Sequence, residues 1–365
     1  MFFYAFKTVG LITDPRVEGT REHHLDDILF IAIASIICGA EGWNDMEEFG
    51  KSKKDWLQTF LQLPAGIPSH DTFNRVFSAL IPEELENCFV EWTRSVANLC
   101  EHEVIAIDGK SLCGSRDTGN KSIVHMVSAW AQQNHIVLGQ VKVGEKSNEI
   151  TAIPRLLELL VLKGCIVTID AMGCQKDIAA KIIEKEADYL LALKGNQGNL
   201  LEQVEDSFRF LPVADFDEQV DSGHGRVETR CCSVISDLSM IEVKDEWEAL
   251  SSLVKIDSER YFKSTGKTEK ETRLYISSLS ANAKLINQSV RAHWGVENSL
   301  HWVLDVGFNE DASRKRAGFA AQNYSLLNRI ALNLLKNDKK TKVGVKGKRL
   351  KAGWDNQYLI KIIKN

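Results

Sequence analysis

The 365-residue sequence predicts an α/β fold: a mixed sheet flanked by helices, with a β-rich insertion and an N-terminal helical domain. Three observations predict it. Apolar residues recur at helical spacing through the first hundred positions. Short β-branched runs then alternate with longer amphipathic ones, the pattern of a sheet covered by helices. Two of the short runs, residues 104–110 (VIAIDGK) and 165–173 (CIVTIDAMG), end abruptly in an aspartate, Asp108 and Asp170. A carboxylate at the end of a buried strand is costly unless a cation, a partner or water compensates it. Two such strands suggest a metal site.

Composition sets bounds on the rest. With 44% hydrophobic and 26% charged residues the chain can bury a sizeable core, and wholesale disorder is excluded. A net charge of −5 argues against a uniformly basic nucleic-acid coat. It leaves room for a local basic face, and residues 336–365 hold ten Lys/Arg against two Asp. They read as a basic C-terminal tail, either a solvated terminus or a phosphate-binding arm. The eight cysteines form no C-x-x-C pair, the usage of a reducing compartment. Residues 1–7 lack the charged start and cleavage site of a signal peptide. The apolar run over 28–40 is shorter than the ~20 residues a bilayer span needs. A cytoplasmic protein without a membrane partner is expected.

In chain order, helices are expected over residues 25–38, 43–49, 54–63, 69–80 and from Pro82 onward, within a domain spanning 1–100. Ser69 stands where an N-cap would, and Pro82 where a helix starts. The 69–80 segment is either the second helix of a helix-turn-helix DNA reader or part of a packing domain. Strands over 103–108, 122–130 and 136–143 should pair antiparallel. A helix over 149–162, a strand over 165–170, a helix over 175–186 and a strand over 189–193 follow. Three antiparallel strands and then alternating helix and strand is the order of the RNase H-like fold. After a helix over 199–210, residues 211–280 read as a β-rich insertion or sheet extension, with runs at 227–236, 253–256 and 274–278. Helices over 282–302 and 318–335 close a catalytic domain spanning 101–335.

The discriminating feature is a third acid on a late helix. His293, Glu297, His301 and Asp305 recur every four residues and so share one helical face. Three readings are open: a solvated face, a zinc site from His293, Glu297 and His301, or Glu297 completing an Asp–Asp–Glu triad with Asp108 and Asp170. Three carboxylates suit two Mg²⁺ or Mn²⁺ ions, hard cations that prefer oxygen. Such a pair of ions serves phosphodiester displacement. Asp305, Glu310 and Asp311 are rivals to Glu297.

The motifs CGAEGW (38–43), IAIDGK (105–110), EKSNEITAIP (145–154), DAMGCQ (170–175), KGNQ (194–197), HGR (224–226) and HWGVENSLHW (293–302) occur in order along nearly the whole chain. On these blocks the sequence resembles the H-repeat-associated transposases, a branch of the Asp-Asp-Glu transposases with an RNase H-like core. The resemblance implies metal-dependent cleavage and strand transfer at the terminal inverted repeats of an insertion sequence. Double-stranded DNA would be the partner, and a homodimer the synaptic unit. It departs from the wider group's Tyr-x-x-Arg-x-x-x-Glu-x-x-x-x-x-x-Lys signature: His293 holds the arginine position and Leu304 the lysine position, with Arg291 nearby. Asp108, Asp170 and Glu297 are the expected catalytic and metal-binding residues. Lys110, Lys194, Asn196, Gln197, His224, Arg226 and Arg291 are the candidate DNA contacts. The rival functions are an RNase H-like nuclease without strand transfer and a catalytically idle DNA-binding relic.

Overall fold

Helix α1, Leu25–Ile37, is apolar on every side, and a helix of that kind is stable only when buried. It is buried in the computed structural model, which describes residues 12–116, 123–144, 147–223 and 225–364. After α1, the Asp45 carboxylate accepts the backbone N–H groups of Glu41 and Gly42 and so starts α2, Trp43–Ser52. The short α3, Lys54–Leu57, follows. Ser69 caps α4, His70–Ala79, by accepting the Thr72 N–H. Pro82 opens α5, Pro82–Val96, where its missing N–H costs nothing. The apolar face of α4 (Phe73, Val76, Phe77) is spent on the core.

The sheet begins with β1, Val104–Leu112, β2, Val124–Ala131, and β3, Ile136–Lys142, joined antiparallel. Helix α6, Glu149–Leu159, leads to β4, Ile166–Ile169, and α7, Lys176–Glu184, to β5, Asp188–Leu193. Both strands are parallel to β1. The order β3-β2-β1-β4-β5 is that of an RNase H-like core. After α8, Gly198–Phe210, four antiparallel strands extend the same sheet: β6, Asp215–Gly223, β7, Arg226–Ile235, β8, Ser252–Phe262, and β9, Thr268–Ser277. Strand β9 pairs with β5, so the nine strands form one sheet and the β-rich region is a sheet extension. Strand β6 went unseen in the sequence because its inner face is polar, with Asp215 and Asp217 accepting from the Ala283 N–H and the Asn287 amide, while Phe216 and Val220 are exposed. It is the outermost strand, and its charges protect an exposed edge.

Successive β1 residues face opposite layers. Ile105 and Ile107 pack against α6, α7 and α8. Ala106 faces the layer that holds α1, α4, α5 and the late helices. Those late helices are α9, Ala283–His293, α10, Trp302–Phe308, α11, Ala320–Asn337, α12, Val345–Trp354, and α13, Asn356–Lys364. The helices before the sheet and α10–α13 therefore share one core, while α9 packs on the sheet in a separate apolar cluster. Among the described residues, no helix is long and apolar enough to cross a membrane.

Two expectations are corrected. The helix read over 282–302 is not continuous. It is interrupted at Trp294, next to Gly295, where a Cβ would lie 2.7 Å from the Gln132 amide, and continues through Gly295 and Val296 into a π-helical turn, Glu297–His301. The basic C-terminal segment is not a tail. Its charges hid an apolar stripe, Tyr358, Leu359, Ile362 and Ile363, that enters the helical core. Arg349 is buried too, donating to the carbonyls of Ile36, Ala40 and Gly307. Leu359→Ala should therefore cost about 2–5 kcal/mol in a urea melt, whereas a solvated terminus would tolerate it without change.

Candidate metal centre at the rim of the sheet

The strand pairing places the first two acids. β1 pairs in parallel with β4 from Val104↔Ile166 as far as Ile107↔Ile169. Asp108 and Asp170 are the next residue on each strand, so both stand where the β1–β4 pairing ends, at the same rim. β1 itself runs on to Leu112 because β2 still accompanies it, with Asp108 opposite Ser128. Asp108 thus sits within a strand rather than at its end, and is only partly exposed. Its Oδ1 accepts the Gly109 N–H at 2.9 Å. Asp170 caps a 3-10 turn, Ala171–Gly173, accepting the N–H groups of Met172 at 3.1 Å and Gly173 at 3.4 Å.

The third acid arrives on the π turn. Donor atoms of Asp108, Glu297 and His301 all lie within 4.8 Å of one another. His301 Nδ1 is 3.6 Å from Asp108 Oδ2 and 3.6 Å from Glu297 Oε2. Asp170 stands outside this cluster, across the rim. The rivals to Glu297 are engaged elsewhere. Asp305 lies 2.8 Å and Asp311 3.3 Å from the Lys110 ammonium. Glu310 is buried against Arg329 at 2.8 Å, with Ser325 and Asn328 around it. His293 is also elsewhere, its Nδ1 3.0 Å from Thr168 Oγ1. The helix break rotates it off the expected stripe.

Electrostatics single out Asp108. Burial, then the charges of Glu297, Glu149 and Asp170, push its carboxyl up to about 7 against the Gly109 hydrogen bond. Asp170 is raised as well, by burial and Glu149, with two backbone N–H groups and Lys194 opposing. Burial and the nearby Arg329 and Lys110 charges lower His301 to about 3, so its ring is neutral. Two carboxylates and a neutral imidazole, crowded by further acids, suit a divalent cation.

Glu149 and His125 are neighbours of the centre that sequence reasoning did not assign. His125 Nε2 lies 2.6 Å from Glu149 Oε1, and its Nδ1 lies 2.9 Å from Ser111 Oγ. A Cβ on Gly109 would collide with both the Glu149 carboxylate and the His125 ring, so Gly109 is what lets them approach β1. The available signal was an acid immediately after an N-cap, Asn148, inside a recognised motif.

The candidate DNA contacts divide. Lys110 is buried and its charge is matched by Asp305 and Asp311. Asn196 and Gln197 donate to the Ala171 and Cys174 carbonyls at 2.7 and 2.9 Å, bracing the turn that holds Asp170. Lys194 is exposed and lines a cavity with Asp170, Arg273, His293 and Trp294. Arg226 and Arg291 converge on the buried Glu228, at 3.9 and 3.7 Å. Arg230 and Arg260 also approach that carboxylate, at 3.2 and 3.8 Å. His224 lies outside the described residues.

Residues 99–334 match the model of the Transposase DDE domain, and residues 6–93 that of the DDE_Tnp_1-associated family. "Putative transposase YncI" of Escherichia coli O157:H7 is 44% identical over 363 residues, covering 97% of this chain and 93% of that protein. "H repeat-associated putative transposase YhhI" of Escherichia coli strain K12 is 42% identical over 365 residues, covering 97% and 96%. A cryo-EM structure of the piggyBac transposase synaptic complex with hairpin DNA covers all of this chain and 77% of its own at 11% identity and a TM-score of 0.39, too low to carry an argument. The RNase H-like sheet and the matched domain define a transposase of the Asp-Asp-Glu class. Within that class, this chain belongs to the H-repeat-associated transposases.

The raised Asp108 sets a pH dependence. Between about 4, where an unfolded aspartate ionises, and about 7, the folded chain holds a proton that the unfolded chain has lost. The Asp108 contribution to metal-free stability therefore falls as pH rises through that window, opposite in sign to that of the buried, neutral His301. Asp108→Asn should flatten the loss and leave the variant more stable above pH 7, by on the order of 2–4 kcal/mol. Urea melts in chelator from pH 4 to 8 check this; parallel curves for the two proteins would contradict it.

Proposed function

We propose that this chain catalyses metal-dependent phosphodiester cleavage and strand transfer at the ends of an insertion sequence. The carrying observation is Asp108: a mostly buried carboxylate, raised to about 7 by burial and by the charges of Glu297, Glu149 and Asp170, beside the Glu297 and His301 donor atoms. Crowding acids without a matched cation costs stability in the free protein. A structural ion pair avoids that cost, as Lys110 and Arg329 do for the rival acids. A centre kept in this condition is suited to bind a multivalent cation.

In this reading Asp108 and Asp170 share one Mg²⁺ or Mn²⁺ ion, and Asp108 and Glu297 hold a second. Such ions acidify a water and neutralise charge on the phosphodiester when bound. The chain's own part is to hold the acids. Backbone N–H groups fix Asp108 and Asp170 by one oxygen each. Asn196 and Gln197 brace the Asp170 turn. The π turn carries Glu297 to the rim. Lys194, beside Asp170, and the arginines around Glu228 are where DNA phosphates would be met, and charge of this kind makes binding salt-sensitive. Double-stranded DNA is the partner, and two chains are assigned to one synaptic complex in the cytoplasm.

The rival nuclease and idle-relic readings part from this one in a single assay. Purified protein is given Mn²⁺ or Mg²⁺ and a duplex bearing the gene's own flanking sequence. Cutting at the element boundary and joining of the freed 3′ end to a second duplex are expected. Cutting without joining favours the nuclease; neither, with DNA still bound, favours the relic. Alanine at Asp108, Asp170 or Glu297 should lower cleavage by at least about a thousandfold, while each variant still folds, with a cooperative melting transition, and still binds DNA. Undiminished cleavage by Glu297→Ala would remove Glu297 from the centre.

A further inference from the structure

His301 has an unusual position for a histidine. Its side chain is 9% exposed. Neither ring nitrogen makes a hydrogen bond: Nε2 is buried without a partner, and Nδ1 faces the carboxylates of Asp108 and Glu297 at 3.6 Å each, beyond hydrogen-bond range. A buried imidazole normally fixes its orientation by at least one such bond. His293, on the same stretch of chain, does so with Thr168 at 3.0 Å. His301 instead points its Nδ1 edge into a gap bounded by two acids. Three donor atoms bound to one ion at about 2.1 Å stand roughly 3.0–3.5 Å apart. The 3.6 Å separations of Nδ1 from both carboxylates are therefore close to what a shared ion would set.

We infer that His301 is a metal ligand through Nδ1, so that the position between Asp108 and Glu297 is a mixed nitrogen–oxygen site. This rests on the proposed metal-dependent function and deepens it, because it makes the two ion positions chemically unequal. The position between Asp108 and Asp170 offers carboxylates alone, which suit Mg²⁺ and Mn²⁺ alike. The position with His301 gains from imidazole, which favours the later divalent ions over Mg²⁺. The local chain supports such a role. His301 closes the π turn that begins at Glu297, with the Trp302 N–H reaching back to the Glu297 carbonyl, and π turns of this kind recur at functional sites. Leu300 and Leu304, both fully buried, anchor the turn from the other side, so the ring and the carboxylate are held on the rim together.

The test reads the bound metal rather than turnover. Full-length protein, loaded with Mn²⁺ without DNA, is examined by pulsed electron spin resonance for coupling to nitrogen, once in natural abundance and once with ¹⁵N-labelled histidine. A ¹⁴N coupling that converts to ¹⁵N on labelling and vanishes in His301→Ala is expected. Mn²⁺ titration followed by the free-ion resonance should show roughly tenfold weaker binding at one site in His301→Ala, with Mg²⁺ binding changed much less. Bound Mn²⁺ with no nitrogen coupling in the wild-type protein overturns the inference and leaves the carboxylate centre standing, a result that needs no variant to fold. No Mn²⁺ bound at all, or binding indifferent to Asp108→Ala, overturns the inference and the proposed function together. Mn²⁺ affinity that is equal in wild type and a folded His301→Ala also overturns it.

Discussion

The structure depends on how carboxylates at the rim of the sheet are neutralised. Five elements bring acids to this small region: β1, the turn after β4, the N-terminus of α6, the π turn with α10, and the 3-10 turn Glu310–Ala312. Burial makes each of those charges costly. Two cations inside the chain resolve part of the cost. Lys110, from the same strand as Asp108, takes Asp305 and Asp311, and Arg329 of α11, fully buried, takes Glu310. The first ties α10 to the sheet, and the second ties α11 to the turn Glu310–Ala312. Asp108, Glu297, Asp170 and Glu149 are left as a group in which the neighbouring acids raise Asp108, and Glu149 raises Asp170.

Holding that group together is a task of the helical layer. Glu297 lies far from Asp108 in the chain, and nothing local brings them together. The placement comes from α11, buried along almost its whole length, which packs between α1, α4, α5 and the sheet. Asn333 on α11 bonds both the N–H and the carbonyl of Val137 on β3, each at 2.8 Å, and Arg349 on α12 reaches the end of α1 and the Gly307 carbonyl. The helices before the sheet thus support the late helices that carry the third acid. Substitutions in that layer, remote from the rim, can shift the geometry of the centre.

Much of this was legible in the sequence, for local reasons. β-branched runs of strand length gave the sheet order, since buried parallel strands have few other readings. The junctions of apolar run and aspartate picked out Asp108 and Asp170. What escaped was set by tertiary context. β6 and the outer halves of β8 and β9 lack apolar alternation because they stand at a solvated edge. The break beside Gly295 depends on the Gln132 side chain, which arrives from the turn after β2. The C-terminal helices were masked by lysines whose stems and neighbours are apolar; Lys348, for one, donates to the Leu335 and Asp338 carbonyls from a buried position. Lys110 looked like a phosphate contact because its partners are nearly two hundred residues away. Glu149 and His125 meet only because Gly109 has no side chain, which no spacing rule reveals.

The most direct measurement is anomalous diffraction at the manganese edge from crystals of the wild-type protein soaked in Mn²⁺. Metal held at the rim of the sheet predicts peaks flanking the Asp108 carboxylate, one towards Asp170 and one towards Glu297, and their loss in Asp108→Asn crystals. A rim without anomalous density at saturating Mn²⁺, or manganese bound only at sites distant from Asp108, would contradict it.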